Sequence, residues 1–179
     1  MHLSSQEEYG LRCLMRLARH EGPQPLRIQE IADGEGMSPE YVAKLMRILR
    51  NGSLVSSTRG AAGGYRLKRP AADVTVWAAV EVLGGEFFPD SFCQSHPGSL
   101  RDCVHSTDCS IRALWSGLNG LLRQALSGLT LADLMRGDES TFGWLAHANL
   151  SELPAGTQPS AGYATPQLRM QNSDSDLES

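Results

Sequence analysis

Apolar side chains recur at helical spacing in several stretches of this chain, and the breaks between them fall on Gly, Pro and Asn. Ser4 and Ser5 are each followed three residues on by Glu, giving two overlapping capping boxes that place Glu7 with Ser4 and Glu8 with Ser5. Leu11, Leu14, Met15 and Ala18 then continue a first helix to about His20. Gly22, Pro23 and Pro25 interrupt it, and Ile28, Ile31 and Ala32 predict a short second helix stopped by Gly34 and Gly36. Ser38 as N-cap with Pro39 at the first position opens a third helix, whose core face is Val42, Leu45, Met46 and Leu49. Asn51 and Gly52 end it.

The next stretch changes period. Leu54 to Thr58 reads as a strand, residues 59–64 as a turn and Tyr65 to Leu67 as a return strand. Helix, turn, helix, hairpin is the order of a winged helix-turn-helix. Thr75 caps a fourth helix through Trp77, Val80 and Leu83, which stops at Gly84 and Gly85. Residues 85–109 show no helical period and predict a long loop. From Ser110, expected as the next N-cap, apolar residues at 111, 114, 115, 118, 121, 122, 125, 126 and 129 form a stripe wide enough to meet both the chain's own core and a second copy of itself. Thr130 opens a further helical turn. After Leu150 the chain is rich in Ser, Pro, Gly, Gln and Ala and is expected to be disordered. The predicted fold is mainly α with a small β-hairpin wing. Residues 1–72 would form the winged helix-turn-helix, 73–136 the dimerisation helices with the cysteine loop over 85–109, and 137–179 a mostly disordered tail.

Charge sharpens this picture. The formal net charge is -4, yet residues 1–70 hold 11 basic and 7 acidic side chains while 71–179 hold 5 and 13. From Tyr41 to Arg69 there are seven Lys or Arg and no Asp or Glu. A basic window on a helix and hairpin is the footprint of a surface that faces phosphates. A recognition helix presents its early exposed residues to the major groove, here Ser38, Glu40, Tyr41 and Lys44, with Arg47 farther along. Each alone also fits an ordinary solvated helix face; the set, in a stretch without acids, points to double-stranded DNA. Arg59 and Gly60 form the leading shoulder of the wing, where small neighbours let the backbone approach a groove and the guanidinium extend into it. Arg66, Lys68 and Arg69 are expected at phosphates, and Gly63 and Gly64 serve hairpin geometry.

No apolar run of membrane-spanning length exists, and the opening MHLSSQEEYG lacks the layout of an export signal, so a cytoplasmic protein is expected. No nucleotide-binding Gly motif or nucleophile–base pair is present. A small Cys-dependent oxidoreductase is therefore a distant alternative, and no small-molecule substrate is expected.

Three of the four cysteines, Cys93, Cys103 and Cys109, lie within 17 residues, and in a reducing compartment such a cluster holds a metal more readily than a disulfide. Soft thiolates in one loop suit an iron-sulfur cluster or zinc, and either needs a fourth ligand. Cys109 immediately precedes the long helix, whose positive end favours a thiolate. His96 and His105 lie in the same loop and make a Cys3His zinc site chemically reasonable. Cys13 fits a buried thiol on an apolar helix face.

The run Leu54-Val-Ser-Ser-Thr-Arg-Gly-Ala-Ala-Gly-Gly-Tyr-Arg-Leu67, the opening Met1-His-Leu-Ser-Ser, Ser38-x-x-Tyr41, Ala113-Leu-Trp115 and Thr130-Leu-Ala-Asp-Leu134 together resemble the IscR/NsrR family of bacterial transcription regulators. The resemblance covers roughly residues 1–136. It implies a homodimer on an operator of approximate two-fold symmetry, a repressor more than an activator, and an iron-sulfur cluster in the loop before the long helix that responds to redox state, nitric oxide or iron. Members similar to IscR use a His three residues after the last Cys; here that position is Arg112. Members similar to NsrR use an acid from the partner subunit near the start of the first helix, which would be Glu8. Three Cys and one carboxylate favour 4Fe-4S over 2Fe-2S, although the interval from Cys93 to Cys103 is longer than is common in the family. A zinc or thiol-switch site in the same DNA-binding frame is the alternative.

Overall fold

A computed structural model describes residues 4–60, 63–85, 87–88, 92–96, 103, 105, 109–137, 141 and 143. Helix α1 spans Ser5–Ala18, two residues short of the predicted end. Of the two possible capping boxes, the one that forms joins Ser4 and Glu7: the Ser4 hydroxyl accepts from the Glu7 N–H, and the Glu7 carboxylate accepts from the Ser4 N–H at 2.7 Å. Glu8 is thus not the partner of Ser5 in a capping box, and its side chain is exposed. The reason is geometric. The Glu7 side chain that closes the Ser4 box is buried and packs against Gly84, on the side of the helix that also buries Gly10, Cys13, Leu14 and Leu17.

Helix α2 covers Ile28–Glu35 and ends at Gly36, whose φ of 66° is the left-handed turn that glycine adopts without strain; Gly34 lies inside the helix rather than stopping it. Helix α3 covers Pro39–Asn51 under the predicted Ser38 cap, with Val42, Leu45, Met46 and Leu49 buried. Strands β1, Val55–Thr58, and β2, Gly64–Leu67, pair antiparallel with Val55 opposite Leu67 and Thr58 opposite Gly64. The hairpin is held to the helical body by a bridge between Leu26 and Tyr65, whose N–H groups donate to each other's carbonyls at 3.0 and 2.7 Å.

A single 3-10 turn at Ala71–Asp73 leads into α4, Val76–Gly84, capped by Thr75 as expected. The segment predicted as unbroken loop contains a four-residue helix, α5, at Phe92–Ser95. Four residues leave too little periodicity to be seen in a sequence. Helix α6 covers Ser110–Ser127, and α7 covers Leu131–Leu134. The N-cap of α6 is Cys109, not Ser110. The predicted disorder of the tail falls almost wholly outside the described residues.

The main core joins Leu14, Ile31, Leu45, Met46, Leu49 and Leu54 to Val74, Ala79, Leu83 and Leu131. Residues on both sides of position 72 therefore share it. Leu131 reaches it because the chain after α6 is stitched back beside the start of α4: the Val76 N–H donates to the Leu129 carbonyl at 2.8 Å, and the Leu131 N–H to the Val74 carbonyl at 2.9 Å.

Candidate nucleic-acid interface and cysteine region

The amphipathic pattern of α3 buries its apolar face and leaves Glu40, Lys44, Arg47 and Arg50 exposed. Ser38 accepts from the Tyr41 N–H at 3.2 Å, so one lone pair of its hydroxyl serves the helix while the O–H remains a donor. Tyr41 is half-buried: its ring packs edge-on against Tyr9 at 5.9 Å, and the Lys44 ammonium lies 6.0 Å from its centroid. Tyr41 thus orients Lys44 as well as offering its own hydroxyl. Arg12 of α1 joins the C-terminal end of α2, its Nε lying 3.1 Å from the Glu35 carboxylate and its Nη2 donating to the Glu35 carbonyl at 2.8 Å.

The wing places Arg59 and Gly60 at an exposed tip. Gly60 has φ of 100°, strained for any other residue, and its carbonyl accepts from the Gly63 N–H at 2.8 Å. A Cβ at Gly64 would meet the Leu26 carbonyl oxygen at 2.5 Å, so this glycine permits the hairpin to press against the strand-like segment before α2. Arg66 is exposed, and its guanidinium donates to the Pro23 carbonyl, tying the return strand to the loop after α1. Between the hairpin and the helices lies a hollow of about 370 Å³ lined by Arg27, Arg50, Ser57, Thr58, Arg59 and Tyr65, among others. Arg27 and Arg50 were not singled out from the sequence. Arg50 stands inside the basic window, whereas Arg27 lies outside it and joins the others only through the Leu26–Tyr65 bridge.

In the cysteine region, the Cys109 sulfur accepts from the Arg112 N–H at 3.4 Å and so closes the N-terminus of α6. Cys103 and Cys109 are free thiols, each half-buried; Cys93 lies on α5. Among the described residues no three His, Cys, Asp or Glu side chains converge on one point. His96 stacks on Phe92 at 4.2 Å and its Nδ1 lies 2.9 Å from the Phe92 carbonyl. A carbonyl can only accept, so Nδ1 carries the proton, and in the neutral ring Nε2 keeps its lone pair, as in a histidine oriented for a metal. Phe92 packs edge-on against Phe88 at 6.3 Å, and Phe88 stacks on Trp115 of α6 at 4.9 Å. An aromatic series thereby connects the helix that bears Cys93 to the long helix.

No residue of α6 is buried. Ile111 is 61% exposed, Leu114 54% and Leu118 37%, three large apolar side chains on one face. Cys13 is fully enclosed. Burial pushes its thiol up from 9.0 to about 12, the Glu35 carboxylate adds to the rise and Arg12 opposes it.

Residues 3–137 match the model of the Rrf2 family, described as iron-dependent transcriptional regulators. The chain belongs to the Rrf2 family. It is 36% identical over 136 residues to the protein rrf2 of Nitratidesulfovibrio vulgaris, a match covering 76% of this chain and 88% of that one. Its fold is similar to that of the solved IscR of T. potens, with a TM-score of 0.59 and 29% identity over 76% of this chain and 87% of the other. It is equally similar to CymR, the global cysteine regulator of B. subtilis, with a TM-score of 0.61 and 29% identity over 77% and 99%. The predicted winged-helix regulator is thus correct, and this Rrf2 protein is a DNA-binding transcription regulator, not an enzyme. Among the described residues no helix is long and apolar enough to cross a membrane.

Proposed function

We propose that this Rrf2 protein is a homodimeric repressor whose grip on a two-fold operator depends on an iron-sulfur cluster held by Cys93, Cys103 and Cys109. The observation that carries the reading is the position of Cys109. A ligand-type thiol caps the very helix whose outer face is bare, so chemistry at the sulfur and geometry at the dimer seam meet in one element. The donor set fits a cluster: two half-buried free thiols, a third cysteine on α5, and side chains able to complete four ligands. Glu8 of the partner subunit is the fourth ligand in this proposal, and its exposure and release from capping leave it available. His96 is the competing donor. Three thiolates and a carboxylate favour 4Fe-4S. When bound, such a cluster supplies a centre open to attack by oxygen or nitric oxide at its non-thiolate corner. The chain's own residues do the rest. Trp115, Phe88 and Phe92 couple the cysteine region to α6, and α6 sets the distance between two copies of α3.

On the DNA side, Ser38, Glu40, Tyr41, Lys44 and Arg47 read the major groove, Arg59 and Gly60 enter the adjacent minor groove, and Arg66 contacts phosphate. A second copy of α6 would cover Ile111, Leu114 and Leu118.

Purification without oxygen, followed by absorption spectroscopy and iron, sulfide and zinc analysis, tests the cluster. Broad visible absorbance with matching iron and sulfide is expected, and Cys103→Ala should abolish it while leaving a folded dimer. A chromophore that survives Cys103→Ala removes that ligand. The second reading, a zinc site or thiol switch, is favoured by the free and accessible Cys103 and Cys109. Colourless protein with stoichiometric zinc, or metal-free protein whose DNA affinity follows thiol oxidation, selects it.

A further inference from the structure

Among the described residues Glu7 is the one charged side chain that is buried, at 5% exposed. Enclosing a carboxylate costs free energy that its contacts must offset. One of its oxygens accepts the Ser4 N–H at 2.7 Å, and the other lies where a Cβ of Gly84 would stand, so a glycine in the last turn of α4 keeps that seat open. One residue earlier, the Gln6 side-chain amide donates to the Leu83 carbonyl. That carbonyl belongs to the end of α4, where the helix supplies no partner of its own. The fit is reciprocal, because Gly10 of α1 in turn makes room for the Leu83 methyl groups. The first turn of α1 and the last turn of α4 are thus clasped together. Two segments leave this clasp. Gly85, with φ of 78°, turns the chain out of α4 toward the cysteines. Glu8 follows Glu7 by one helical step, about 100° round the axis, and is exposed.

We infer that the clasp of Gln6 on Leu83 and Glu7 on Gly84 couples the two clusters of a dimer, so that filling one favours filling the other. The inference rests on the cluster and the Glu8 ligation proposed above. In that arrangement the first turn of each α1 gives Glu8 to the partner subunit's cluster, while Gln6 and Glu7 hold the root of their own cysteine segment. Ligation through Glu8 fixes the turn, and the clasp passes that restraint to Leu83 and Gly84. The ordering cost of gathering three thiolates beyond Gly85 is then lower than for the first cluster. Two-fold symmetry makes the effect mutual.

Ferrous iron and sulfide are supplied stepwise, without oxygen, to the full chain, and native mass spectrometry counts dimers that hold no cluster, one or two. Independent sites at half-filling leave about half of the dimers with one cluster, and a tenfold coupling lowers that share to about a quarter. Wild type is expected near the lower share. Gln6→Ala, and Gly84→Ala with its methyl group set against the Glu7 carboxylate, should return to about half at the same total filling, circular dichroism confirming the fold. Gln6→Lys keeps a donor for the Leu83 carbonyl and should stay near wild type. Statistical filling by wild type overturns the coupling while the cluster reading stands. Variants that melt earlier yet keep the wild-type share make the clasp a matter of stability alone and overturn it as the route. Glu8→Ala dimers that still fill in pairs overturn the cross-subunit link. Protein that takes up no cluster, or that never dimerises, removes the reading on which the inference rests.

Discussion

Single side chains carry the sharpest tests. Arg59 stands at an exposed wing tip with no acidic residue lining the hollow beside it, so Arg59→Ala should weaken operator binding by about tenfold or more in a mobility-shift titration, with the loss greater on the operator than on random duplex. Equal losses on both would reduce Arg59 to a phosphate contact. Cys13 makes a contrasting case. Because its folded thiol is pushed up to about 12, the stabilisation from keeping it neutral is complete below the ordinary value of 9.0 and is lost as pH rises through the folded value. Denaturant midpoints should therefore fall between pH 9 and about 12 more in the wild type than in Cys13→Ala. Mass spectrometry after alkylation at neutral pH should find Cys103 modified and Cys13 untouched until the chain unfolds. Ser38, Lys44 and Arg59 were visible in the sequence because charge and capping are local. Arg27 was not, since its place beside the wing depends on a bridge between residues 39 positions apart.

At the level of elements, α6 is the piece whose surface least suits a lone chain. Leu118→Asp should convert the proposed dimer to monomer in sedimentation or light scattering, because it sets a carboxylate in the middle of the apolar face formed with Ile111 and Leu114. A dimer unaffected by this change would place the seam elsewhere. The helices α1, α3, α4 and α6 were legible because each spans enough turns to display a period and is opened by a residue that caps it or lies beside its cap. Two local choices were not. Sequence preference ranks Ser above Cys as a cap, yet the sulfur of Cys109 takes the N–H, and the box that forms is the Ser4 one, whose Glu7 is buried against Gly84. Both shifts bear on the proposed ligands. They put one thiol at the helix end and leave Glu8 exposed.

Across the whole molecule, the hydrophobic core ignores the order in which the chain supplies it. Leu131, fully buried among residues of α1, α3 and α4, comes from beyond the long helix. Leu131→Ala should cost about 2–5 kcal/mol in equilibrium unfolding, more than most substitutions of the same size at the rim. A change under about 1 kcal/mol would show that the site collapses to fill the space. The arrangement also bears on how such a regulator can be rebuilt. A fragment ending at the hairpin would leave Val74, Ala79, Leu83 and Leu131 missing from the core that α3 packs into, so the winged helix is not a detachable cassette. Anyone fusing it to a foreign dimeriser would have to carry α4, α6 and the stitch at Leu129–Leu131 along. A junction that keeps this core whole falls after α7.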